Sequence, residues 1–179
     1  MAETRKAKDR REREGFFDKY CQGRGIDIGG GHDPLNDSIE IWDLERGDAT
    51  FMKGVPDDTY DFVYSSHCLE HISNPFLALL NWCRILKKGG YLIIAVPHRD
   101  LYEKKKFLPS RWNGDHKFFF LPDDHDLPHT IGLTKLIRGS IGNQIGFISV
   151  RTCDEGHTIT DPNQHSNGEY AIEAILVKD

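Results

Sequence analysis

Short apolar runs separated by polar or glycine-rich breaks recur along most of the chain. Residues 25–28, 38–42, 61–65, 91–96, 147–151 and 170–177 have the length and the β-branched or aromatic content of strands. Two longer segments, 74–86 and 130–144, read as helices. The first has a clear start, because Asn74 can cap and Pro75 suits the first turn. It also has a clear stop in Lys87-Lys88-Gly89-Gly90, with cations at the negative helix end and glycine to reverse the chain. Strands alternating with helices predict an α/β protein with a mostly parallel sheet covered on both faces. Residues 1–22 read as an N-terminal helix whose charge-laced body faces water and whose last turn, with Phe16, Phe17 and Tyr20, docks.

Two connections depart from this rhythm. Only residues 29–37 separate the first two strands, below the roughly 12 residues a helical crossover needs, so the first helix is expected to be trimmed. Residues 97–129 form a long insertion, aromatic and rich in His and Asp, without periodicity. Insertions of this kind tend to be functional loops or lids, here a substrate loop.

Composition narrows the class. A chain of 179 residues is expected to form one domain, and its net charge of -5 argues against a surface built for nucleic-acid phosphates. No apolar stretch reaches the roughly 20 residues of a membrane span, and the N-terminus lacks an apolar signal core. Cys21, Cys68, Cys83 and Cys153 form no CxxC pair and read as reduced thiols, which predicts a cytoplasmic protein.

The candidate chemistry centres on Arg24-Gly25-Ile26-Asp27-Ile28-Gly29-Gly30-Gly31. A buried strand ending in an acid and three glycines delivers a loop whose backbone can approach a ligand closely. Asp43, closing the next apolar run, is placed to grip vicinal hydroxyls. Together these describe a nucleoside-type cofactor site. No GKS or GKT ending is present, which removes a triphosphate P-loop, and Pro34 stands where the dinucleotide fingerprint needs its third glycine.

Four segments in order, IDIGGG, the strand ending in Asp43, YDFVYSSHCLEHISNP (60–75) and RILKKGGYLIIAVP (84–97), resemble class I S-adenosylmethionine (SAM)-dependent methyltransferases. The likeness is to the subgroup with a Glu-His pair after the fourth strand. It implies a Rossmann-like fold with an antiparallel final strand. It also implies that Asp27, Gly29 and Gly31 line the methionine end of SAM and that Asp43 holds the ribose. By the same likeness Asp48 and Ala49 border the adenine, while Ser65 and His67 face the reacting methyl. Asp33 replaces a third glycine common in the family. The resemblance predicts transfer to a small-molecule acceptor; transfer to nitrogen or carbon, or a non-catalytic SAM-binding protein, are the alternatives.

An alcohol acceptor needs a base, and histidine suits neutral pH. His98 follows Pro97 at the carboxyl end of a strand, where open α/β sheets place their sites. His116 has Asp115 beside it to orient the ring. The Asn-x-Asp-His segment around it resembles methyltransferases of surface-polysaccharide gene clusters, pointing to a sugar or phosphorylated glycan precursor. The basic run Arg99, Lys104, Lys105, Lys106 would suit a phosphate, as on a nucleotide-linked sugar. Asp115, His116, Asp123, Asp124, His125, Asp126 and His129 could offer hard ligands to a divalent cation, but no ligand spacing is recognisable, so no metal ligand is assigned.

Overall fold

The computed structural model describes residues 3–179. The strands are β1 (Gly25–Ile28), β2 (Glu40–Trp42), β3 (Tyr60–Ser66) and β4 (Leu86–Pro97), then β5 (Phe119–Leu121), β6 (Thr130–Gly132), β7 (Ile145–Cys153) and β8 (Ala171–Lys178). The helices are α1 (Glu3–Lys6), α2 (Lys8–Arg13), α3 (Phe16–Tyr20), α4 (Pro75–Ile85) and α5 (Leu133–Ile141). Among the described residues, six strands form the central sheet in the order β2-β1-β3-β4-β8-β7. Pairing is parallel from β2 to β4, and the final strand β8 runs antiparallel to both its neighbours. This is the expected Rossmann-like α/β arrangement, a mostly parallel sheet with helices on both faces.

Register decides where a site can form. Ile28 lies opposite both Trp42 and Ser65, and Ser66 lies opposite Ala95, so the carboxyl ends of β1 to β4 share one edge. The chain leaves β1 toward β2 on one side, while β3 lies on the other. That makes the β1/β3 boundary the switch point at which open α/β sheets bind ligands. Among the described residues between β1 and β2 there are turns and bends but no helix, as the short connection required.

Alternation along the strands sorts side chains to two faces. Ile26, Ile28, Val63, Leu92, Ile94, Val96, Ala174 and Leu176 join the large core under α4 and α5. Asn74 caps α4 by accepting a hydrogen bond from the Leu77 amide (3.1 Å), with Pro75 in the first turn. The opposite face carries Phe62, Tyr64, Ile93 and Ile175 against Phe16, together with the buried carboxylates Asp27 and Glu173.

Two sequence expectations are corrected here. The N-terminal segment is not a solvated helix. It is broken into three short helices, with Gly15 left-handed at φ 65° before α3, and α2 buries Arg10 and Arg11. Arg11 donates to the Glu173 carboxylate (2.9 Å) and to the Tyr64 hydroxyl (2.7 Å), and Arg10 donates to Glu169 and Glu173. A sheet face that presents a buried acid draws guanidiniums onto it, overriding the tendency of charge-rich helices to face water. The helix expected over 130–144 begins only at Leu133, because Thr130–Gly132 pairs with β5. A Cβ at Gly132 would lie 2.3 Å from the Asp123 carbonyl oxygen, a backbone approach that only glycine allows.

Candidate active site

Glycine and acid meet at the carboxyl end of β1 as the motif required. Gly29 and Gly31 are left-handed, at φ 83° and 46°. A Cβ on Gly29 would fall 2.6 Å from the Cys68 Cβ, and one on Gly31 would fall 3.2 Å from Asp43 Oδ2. The loop therefore packs its bare backbone between the turn after β3 and the acid after β2. Asp43 spends Oδ1 on the Leu44 amide (2.7 Å), which caps the 3-10 turn Leu44–Arg46. Leu44 itself is 88% exposed, an apolar side chain held out beside the proposed ribose acid.

Asp27 is fully buried. Its Oδ2 accepts from the Leu35 amide (2.8 Å), while Oδ1 is buried without a hydrogen-bond partner. Burial pushes this carboxyl up to about 7, against the pull of the Leu35 amide and of Arg11. An orphaned carboxylate oxygen next to bare loop backbone suits the ammonium of an amino-acid-like ligand, so these residues fit the methionine end of SAM. Asp48 accepts from the Thr50 amide and Ala49 from the Trp82 indole, which fixes the segment proposed for the adenine edge. Ser65 is buried and donates to the Ile28 carbonyl (3.0 Å), tying β3 to β1.

Beside this loop, at the carboxyl ends of β3 and β4, lies a cavity of about 330 Å³ lined by His67, Glu70, His71, Tyr102, His116 and Tyr170, among others. His67 follows β3 with φ 52°, a left-handed conformation uncommon outside glycine and often kept at functional sites. The next residue, Cys68, is the one that abuts Gly29, so His67 stands where the cofactor loop and the cavity join.

His116 is buried, with Nδ1 2.6 Å from Glu103 Oε1. Its orienting acid is thus Glu103, from the single π-type turn Arg99–Glu103, and not the exposed Asp115 that sequence proximity favoured. Ser110 donates to the other Glu103 oxygen (2.6 Å). Sequence reading missed Glu70, Glu103 and His71 as parts of one site. Only the insertion's return path, with the Lys117 amide donating to the Glu70 carbonyl (2.7 Å), brings them together.

His98 is not among the cavity's lining side chains; its Nδ1 accepts from the Asp100 amide (3.2 Å) and starts the π turn. The basic run does not face the cavity either. Arg99 is buried against Asp100 and Asp126, and Lys104 and Lys105 donate to backbone carbonyls. Asp123, Asp124, His125 and Asp126 are exposed and do not gather around His116. Among the described residues the metal-competent group is Glu70, His71 and His116.

The α/β fold and the bare-backbone loop after β1 suit a nucleoside-type cofactor. A family model described as a methyltransferase domain matches residues 2–129, and the chain belongs to that family of SAM-dependent methyltransferases. A SAM-dependent methyltransferase from Thermotoga maritima is 21% identical, with full coverage of both chains and a TM-score of 0.57. One from Archaeoglobus fulgidus is 18% identical, covers 98% of this chain and 94% of its own, and has a TM-score of 0.56. A structure describing conversion of a disulfide bond into a thioacetal group during echinomycin biosynthesis is 14% identical, with coverage of 97% and 80% and a TM-score of 0.65. No curated protein matches the sequence. Among the described residues no helix is long and apolar enough to cross a membrane.

Proposed function

We propose that this methyltransferase acts on an oxygen of a small hydroxylated acceptor, a sugar or glycan precursor, in the cytoplasm. The observation that carries the reading is the cavity at the β3 and β4 ends, where His67, His71 and His116 converge beside the glycine loop. Bound SAM supplies a methyl group already activated on a sulfonium. The chain's own task is then to hold, orient and deprotonate an acceptor.

In this reading Asp27 takes the amino group through its orphaned Oδ1, and Asp43 accepts from the ribose hydroxyls. Leu44, with the exposed Phe51, offers apolar surface near the adenine segment at Asp48 and Ala49. His67 is the group assigned to take the acceptor's proton, because it stands at the junction of loop and cavity. His116, locked by Glu103, holds the acceptor in place. Tyr102 and Tyr170, with ring centroids 4.9 Å apart, form an aromatic wall of the kind sugar rings pack against. A phosphorylated acceptor has weaker support, since Arg99, Lys104 and Lys105 are committed elsewhere. Free cysteines throughout the described chain fit a reducing compartment.

Two measurements test the reading. Calorimetry should show SAM binding that Asp43→Ala weakens by roughly 2–4 kcal/mol, through loss of charge-assisted hydrogen bonds; unchanged affinity would remove Asp43 from the site. Methyl-labelled SAM, incubated with sugars, nucleotide-linked sugars and amines, should place label on a hydroxyl. Label confined to amines would replace the acceptor class, a competing reading that the buried carboxylates Glu70 and Glu103 keep open.

A further inference from the structure

We infer that Glu70, His71 and His116 form a binding site for one divalent first-row transition metal on the floor of the acceptor cavity. One ligand atom from each lies within 4.8 Å of the others. His71 Nε2 is 3.8 Å from Glu70 Oε1, and His116 Nε2 is 4.0 Å from the same oxygen. The two rings meet edge to face, with centroids 4.8 Å apart.

The surroundings point to a metal. The His116 imidazole is held by an acceptor outside the cluster, with its Nδ1 2.6 Å from Glu103 Oε1. Such a bond fixes the tautomer and turns Nε2 toward Glu70, which is how metal-binding histidines are oriented. The support continues one step further out, where Ser110 donates to Glu103 and leaves that carboxylate no freedom to swing. Glu70 and Glu103 are both almost fully buried, at 1% and 2% exposure, beside the two imidazoles, and a dication there would interact favourably with both carboxylates.

The donor set selects the ion. Two imidazoles and one carboxylate suit zinc, cobalt or manganese better than calcium or magnesium, which prefer all-oxygen shells. Three protein ligands leave coordination positions open, and the open side is the cavity. This deepens the reading of the cavity as an acceptor site and rests on it for one point: a hydroxylated acceptor presents oxygens to those positions. A hydroxyl so placed loses proton affinity, and its proton passes to His67.

The test uses the full chain, stripped with a chelator and titrated with cobalt(II) and then zinc(II). One equivalent of cobalt should bind with visible d–d absorption, and zinc should displace it. His71→Ala and Glu70→Gln should each abolish that absorption, Glu103→Gln should weaken binding roughly 10–100-fold through the lost orienting contact, and His32→Ala should change nothing. SAM binding measured on the same samples reports folding and keeps the two readings separate. SAM binding without cobalt absorption in the wild type, or absorption unchanged in both ligand variants, overturns the metal site. Cobalt bound with this variant pattern, but no SAM binding, leaves the metal site standing and removes the cofactor assignment.

Discussion

The two faces of the sheet are held by different forces. Under α4 and α5 a continuous apolar core surrounds Trp82 and the Ile, Leu and Val side chains of β1, β3, β4 and β8. On the other face a small aromatic cluster shares the surface with buried ions, Glu173 against Arg10, Arg11 and Arg151, and Asp27 nearby. The apolar face is non-directional and tolerates no loss of volume. The ionic face is directional: it holds α2 in one register, and its worth depends on every partner being present. It is also the face left without a helix between β1 and β2, so the N-terminal helices supply the cover.

The largest effect is expected on the apolar face. Trp82→Ala empties a fully buried site and removes a hydrogen bond to Ala49, and should cost roughly 3–5 kcal/mol in denaturant unfolding. A loss below about 1 kcal/mol would mean the two faces are not distinct in this way. On the ionic face Arg11→Ala should cost about 3 kcal/mol, because it leaves Glu173 short of a partner in a buried setting. The double variant Arg11→Met, Glu173→Met should recover much of that loss, whereas no second substitution on the apolar face refills the space left by Trp82.

Acid should separate the faces next. Burial alone would raise the Glu173 carboxyl, but Arg11, Arg10 and Arg151 hold it at about 2, below its ordinary 4.5. A depressed carboxylate contributes stability that is complete above its unfolded value and is lost as pH falls through the folded one. Roughly 3 kcal/mol should therefore disappear between about pH 4.5 and 2, with loss of the N-terminal helices seen first in hydrogen exchange. Uniform loss of protection over both faces would break the comparison.

A pH effect of the opposite sign is expected at Asp27. The Asp27 carboxyl sits at about 7, above its ordinary 3.8, among Arg11, Asp33 and Asp43. Its ionisation destabilises the fold, so stability should decline as pH rises from about 4 to about 7 and level off above that. Asp27→Asn should then be stabilising by about 1–2 kcal/mol at pH 8 while SAM affinity falls. Lower stability in this variant would show that the ionised carboxylate is held by contacts other than the Leu35 amide.

Much of this was legible in the residues. Gly25–Ile28 and Pro75–Ile85 follow from local signals, a glycine-bounded apolar run and an Asn-Pro start, while the antiparallel direction of the final strand is what the family resemblance implied. The absence of a helix after β1 follows from chain length alone. Residues 4–20 were misread because helix charge patterns say nothing about what the sheet presents to them, here Glu173 and Tyr64. Residues 130–132 were misread because pairing with β5 depends on where the insertion returns.

The sequence by itself determined the fold class and the placing of Asp27, the glycines and Asp43 at neighbouring strand ends, since they lie near in the chain, and backbone freedom and strand ends place them with little help. Only the tertiary structure decided which side chains gather in and behind the cavity beside that loop. Glu70, His71, Glu103 and His116 come from a turn after β3 and from two ends of the insertion, and they meet through long-range packing. The physical reason is that loop closure brings distant groups together by burial and hydrogen bonding, which carry no period that a linear pattern can reveal.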